Sequence, residues 1–175
     1  NFYQYFKDWF GSTHSSYSAS VTEKRYYTDS ARTNEVQSIP TLRSGQSAYI
    51  TIKAKNTGSK TWDRSFVKIG TTSPNDRSSG FADDSWISSG RAAQLVESSV
   101  LPGGIGTFRF SINAPNIDGS YAEKFKILAE GRQWMEDNAG FTINATVSNP
   151  YNASISSSSI YSDQSMTKKT NTRVK

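Results

Sequence analysis

Apolar and polar side chains alternate strictly along several stretches of this chain. SAYITIKAK (47–55) puts Ala48, Ile50, Ile52 and Ala54 on one face and Tyr49, Thr51, Lys53 and Lys55 on the other, the period of two that a half-buried β-strand requires. GTFRFSINAP (106–115) repeats the pattern with Phe108, Phe110 and Ile112 inward, after a Pro-Gly-Gly turn at 102–104. GSYAEKFKILAEG (119–131) gathers Tyr121, Phe125, Ile127 and Ala129 on one face, and GFTINATV (140–147) does so with Phe141, Ile143, Ala145 and Val147. Shorter candidates are FVKIG (66–70) and AAQLVES (92–98); upstream of these, SYSASVTEKRYY (16–27), where Tyr17, Ala19 and Val21 share a side, reads as a first strand or a lead-in. About seven strands spaced roughly ten residues apart, with no long helical pattern, predict an all-β fold of two antiparallel sheets packed face to face.

The pattern divides the chain into an N-terminal aromatic extension (1–40), a β-sandwich (41–148) and a Ser/Thr-rich basic tail (149–175). The extension opens NFYQYFKDWF, in which Phe2, Tyr5, Phe6 and Trp9 recur near helical spacing, joined by Tyr3 and Phe10, before Gly11. A short amphipathic helix follows from that spacing. Its aromatic stripe needs cover: the domain's own flank, a neighbouring subunit, or a membrane interface below an N-terminal anchor. Residues 29–40 read as a linker. In the tail, Ala153, Ile155, Ile160 and Tyr161 stand apart among serines and would be the side chains that grip a neighbour's groove by strand addition.

Composition narrows the classes. With 175 residues there is room for one ordinary domain and extensions. There is no cysteine, which excludes a disulfide framework and thiolate metal sites. No stretch approaches the roughly 18 apolar residues of a membrane span. The chain begins with Asn, so a removed signal peptide or a missing anchor, and hence an extracellular or cell-surface location, is the expectation. The net charge is +5, and residues 149–175 hold four basic side chains (Lys168, Lys169, Arg173, Lys175) against one acidic. These could touch an acidic wall polymer, a membrane surface or nucleic acid, although a solvated terminus is the plainer reading. Inside the domain, cations are scattered among nearly as many acids, with no run to track phosphates, so nucleic acid is not an expected partner.

Catalytic chemistry has little to build on. His14 is the only histidine and lies outside the sandwich, so a Ser-His-Asp arrangement would have to recruit an extension. PGGIG precedes a strand rather than a helix and reads as a hairpin turn, not a phosphate loop. Asp83–Asp84 and Glu136–Asp137 are paired carboxylates, with Asp76 nearby. They could serve glycoside cleavage or hold calcium. Adjacent acids in a strand point to opposite faces and the calcium-loop spacing is absent, so surface solvation is the plainer reading, with calcium the one metal left open.

NTGSKTW (56–62), SPNDRSSGF (73–81), SW (85–86) and EGRQWMEDNAGF (130–141) resemble the immunoglobulin-like four-tryptophan domain, known from an autophagy-receptor family and widespread in bacterial surface proteins. In detail they look like the modules of exported, membrane-tethered proteins of candidate-phylum bacteria such as the Saccharibacteria and other Patescibacteria. The resemblance covers roughly residues 38–148 and implies an Ig-like sandwich whose motif tryptophans are chiefly architectural. Asn56 and Gly58 then make a turn, Trp62 closes one end of the sandwich, and Trp134 plugs the core rim. Trp86, in a long acidic loop, and Tyr49 remain candidates for glycan stacking.

Taken together, the expectation is a non-catalytic, exported Ig-like protein, without a cofactor, working in assembly or adhesion. A structural subunit of a filament or array is favoured, with the terminal segments contacting copies of itself or other envelope proteins. The alternatives are a carbohydrate- or wall-binding module and the membrane-tethered ectodomain of a larger envelope protein.

Overall fold

The computed structural model describes residues 16–149. The expected N-terminal helix, Phe2, Tyr3, Tyr5, Phe6, Trp9, Phe10 and His14, and the tail residues Ala153, Ile155, Ile160 and Tyr161 with the basic terminus, lie outside the described residues.

Among the described residues there is no helix, and the strands are β1 (Ala19–Tyr27), β2 (Glu35–Val36), β3 (Ser47–Asn56), β4 (Trp62–Asp63), β5 (Val67–Thr71), β6 (Arg91–Gln94), β7 (Ser99–Val100), β8 (Ile105–Asn113), β9 (Gly119–Ala129), β10 (Gln133–Trp134) and β11 (Gly140–Val147). The seven longer strands fall on the seven alternating stretches. One sheet runs β2-β1-β3-β8; the other runs β10-β9-β5-β6, with β11 on β9, and β4 pairs with β7 apart from both. All of these pairings are antiparallel.

The alternation explains the layers. Ile50 pairs with Phe110 and Ile52 with Phe108, and facing them from the other sheet are Ile69, Phe125, Ile127 and Ile143, all but sealed from solvent. Removing such side chains from water is the main favourable term, about 1.5–3 kcal/mol for each large one. Phe125 lies at the centre of an aromatic group, stacked on Phe141 at 5.5 Å and edge-on to Trp86 at 5.9 Å.

The packed body reaches upstream of residue 41. β1 pairs with β3 from Ala19↔Asn56 to Tyr27↔Tyr49, so a strand assigned on sequence to the extension is a full member of the first sheet. A bulge between Val21 and Glu23 also breaks its alternation. Without it Glu23 and Arg25 would face the core; the extra residue turns them to the outer face with Tyr27, and Tyr26 packs inward instead. The supposed linker is ordered as well: its loop returns through β2, and Leu42 lies parallel beside Val147, its N–H bonded to the Thr146 carbonyl at 2.9 Å.

Candidate functional site

The sandwich has two ends, set about 26–33 Å apart by strands of eight to ten residues. At one end β3 runs out at Asn56. That side chain is fully buried, its amide donating to the carbonyls of Lys60 at 2.9 Å and Val100 at 3.1 Å while its oxygen accepts from the Gly58 N–H at 3.1 Å. One asparagine thus satisfies three backbone groups where the chain reverses, so Gly58 is buried there. Trp62, fully buried, lies against Gly106, where an added Cβ would come within 3.2 Å of the indole and 2.7 Å of Leu95. Its indole N–H has no hydrogen-bond partner among the described residues.

The described chain enters at this end. The Ser16 carbonyl accepts from Lys60 N–H and the Ser18 carbonyl from Thr57 N–H, each at 3.1 Å. Leaving the body, Asn149 donates its N–H to the Asp118 carboxylate at the opposite end, 2.9 Å away. Each end also exposes aliphatic side chains. Leu101 (68% exposed) and Ile105 (47%) flank the Pro-Gly-Gly turn at the entry end; Ile117 (73%) projects at the exit end, where the Tyr121 hydroxyl donates to its carbonyl at 2.6 Å. Sequence reasoning missed these three. The signal was present as an apolar residue on each side of the turn and another in the Asn-Ile-Asp-Gly loop, but a lone apolar residue in a loop is ordinarily unremarkable.

The candidate glycan platforms are closed. Trp86 is only 7% exposed and its indole N–H donates to the Ser111 carbonyl at 2.7 Å. The Tyr49 ring carries the Arg32 guanidinium 5.8 Å from its centroid. Trp134 is half-buried, on the outer face of the second sheet rather than at the core rim, with Leu128 and Gly70 beneath it and Arg91 stacked 5.5 Å from its ring.

The acidic pairs do not converge. Asp83 caps its own loop, accepting from Ser85 N–H at 2.8 Å and from the Ser111 hydroxyl at 2.5 Å. Asp137 accepts from the Thr57 hydroxyl at 2.6 Å at the entry end. Asp76 pairs with Arg91 at 2.5 Å. Among the described residues no three His, Cys, Asp or Glu side chains are grouped as metal ligands. Several acids are held below the ordinary carboxylate range: Glu130 by hydrogen bonds from Arg91, Glu23 by those from Lys53 and Arg25, Asp29 by the Asn34 and Thr33 N–H groups, and Asp63 by Ser65. These are partners that favour the ionised form.

Protein-family models and curated proteins give no match to this chain.

Proposed function

We propose that the chain is a non-catalytic, exported Ig-like structural subunit that assembles end to end at a cell surface. The carrying observation is polarity: the described chain enters at one end of the sandwich, leaves at the other, and exposes Leu101 and Ile105 at the first and Ile117 at the second. Residues 1–15 and 150–175 are therefore joined to opposite ends. Two different surfaces at opposite ends make a head-to-tail contact, and such contacts propagate into filaments when the rotation between copies does not close a ring.

The Ig-like reading is supported by strand order. β1-β3-β8 against β6-β5-β9-β11 corresponds to A-B-E against C′-C-F-G, and the parallel bridge between Leu42 and Val147 corresponds to a first strand that crosses to the last. For the non-catalytic reading, the support is the dispersal of the acids, several of them held ionised by their own partners, whereas a general acid near neutral pH needs its pKa raised.

Electron microscopy and sedimentation of the full chain test the assembly. Concentration-dependent polymers are expected, weakened at least about tenfold by Ile117→Asp or Leu101→Asp, since a charge placed in an apolar contact loses several kcal/mol. Both sites are exposed, so β-sheet circular dichroism should stay unchanged. A chain that stays monomeric at the highest soluble concentration, or polymers indifferent to both substitutions, would overturn the reading.

A further inference from the structure

On the outer face of the first sheet, Arg25, Thr51 and Arg109 form one row across three strands, and Tyr27, Tyr49 and Ser111 form the next. The loop between β1 and β2 folds over this face and lays Arg32 on it, leaving a concavity of about 420 Å³ lined by Arg25, Arg32, Lys53 and Arg109 together with Ser30 and Thr107. We propose that this concavity binds a phosphate-type oxyanion, seated between the guanidiniums of Arg32 and Arg109.

The charge pattern carries the inference. Two of the four cations are already neutralised: Arg25 pairs with Glu23 and, at 3.3 Å, with Glu35, and Lys53 pairs with Glu23 at 2.8 Å. Arg32 and Arg109 have no carboxylate partner among the described residues. Of the other acids nearby, Asp29 is occupied in building the loop, accepting from the N–H groups of Thr33 at 3.1 Å and Asn34 at 2.7 Å, and Glu97 accepts from the Thr107 N–H at 2.8 Å. Two like charges are therefore held on one concave face with no ion-pair partner among the described residues. Burial, and then the charge of Arg109, push the Arg32 pKa below its ordinary value. A dianion between the pair would relieve their mutual repulsion and offset the cost of burial by attraction.

Arg32 is held in place before any ligand arrives. Its backbone sits at φ 58°, a conformation unusual for a side-chain-bearing residue, fixed by its own N–H to the Asp29 carbonyl at 3.1 Å. The guanidinium lies over Tyr49 and donates to the carbonyls of Phe110 and Ser30, each at 3.3 Å, while its Nε is buried with no partner among the described residues. A cation aimed and partly desolvated in advance loses little entropy when an anion binds. Guanidiniums favour tetrahedral oxyanions because their planar fork gives two parallel N–H donors, and the Ser30 and Thr107 hydroxyls add neutral donors. Because the concavity is open and wider than a single ion, the phosphate can be free or carried on a larger molecule.

The site is independent of end-to-end assembly. Calorimetric titration of the full chain with inorganic phosphate, and separately with a short poly(glycerol phosphate), tests it at low ionic strength. Saturable binding of phosphate is expected, competed by the polymer. A polymer that binds more tightly than phosphate identifies the carried group as the ligand, and equal affinities identify the free ion. Arg109→Ala, on an exposed side chain, should weaken phosphate binding at least about tenfold, with Arg109→Lys retaining part of it. Arg32→Ala should do the same. Lys124→Ala, an exposed cation on the second sheet, should change nothing. Absence of binding to both probes, or an equal loss in Lys124→Ala, would overturn the proposal.

Discussion

Of the three arginines that lie over aromatic rings, Arg32, Arg91 and Arg132, the first two sit on opposite faces of this sandwich and differ in what meets their charge. Arg91, on Trp134, is gripped by Glu130 at 2.8 and 3.0 Å and by Asp76 at 2.5 Å; Arg32, on Tyr49, has no carboxylate partner among the described residues. The partners of Arg91, Glu130 first, raise its pKa, whereas burial lowers that of Arg32. Ring stacking alone therefore says little about purpose. A stacked arginine whose charge is met inside the fold closes a structural joint; one whose charge is left over is available to something outside.

The sharpest way to break the Arg91 joint acts from beneath it. At Gly70 an added Cβ would sit 2.7 Å from the Trp134 ring, 3.0 Å from Leu128 and 3.1 Å from Arg91. Gly70→Ala must displace the whole stack, an overpacking cost of about 3 kcal/mol, to be read as a lower urea midpoint with an unchanged slope. A neutral result would mean that the stack yields easily and that the contrast with Arg32 is overstated.

Next in size is the paired truncation. Arg91→Ala leaves Asp76 unpaired and Glu130 with Lys68 alone at 3.5 Å, and uncovers Trp134, a loss of about 2 kcal/mol, moderated because both acids can turn to water. Arg32→Ala removes a cation with no ion-pair contact among the described residues and two carbonyl contacts of 3.3 Å, and should shift stability by less than about 1 kcal/mol. Equal losses in the two variants would erase the distinction between a joint and a binding group.

Periodicity made the strands legible, because burial on one face writes itself as alternation: Ile50, Ile52, Phe108 and Phe110 could hardly have been placed elsewhere. What alternation cannot report is a bulge, so Glu23, Arg25 and Tyr27 were invisible as an outer row until Val21 and Glu23 were seen out of register. Trp86 stood between two readings. Its long, polar and acidic loop left a core plug and an exposed platform both open; the ring is sealed by Phe110 and Phe125, contacts about 25 and 40 residues away in sequence that no local pattern encodes. Arg32 was missed for the same reason: in the string it is one polar residue of a linker, and only the fold brings it to Arg109.

The smallest effect concerns acid. With its folded pKa held below the usual 4.5 by Arg91, and also by Lys68, Glu130 contributes stability that is full above that value and drains away as pH falls through the depressed one. Glu130→Gln should therefore flatten the acid limb of the stability curve below about pH 4.5, a change smaller than that of Arg91→Ala because Glu130 is part-exposed and screened. Arg32→Ala should run parallel to the wild type there, since no carboxylate is held ionised by Arg32 through direct contact. Urea midpoints across the acid range distinguish the two. Should Arg32→Ala also flatten the limb, an acid does answer its charge within the fold, and the guanidinium would be a second structural joint rather than one awaiting an anion.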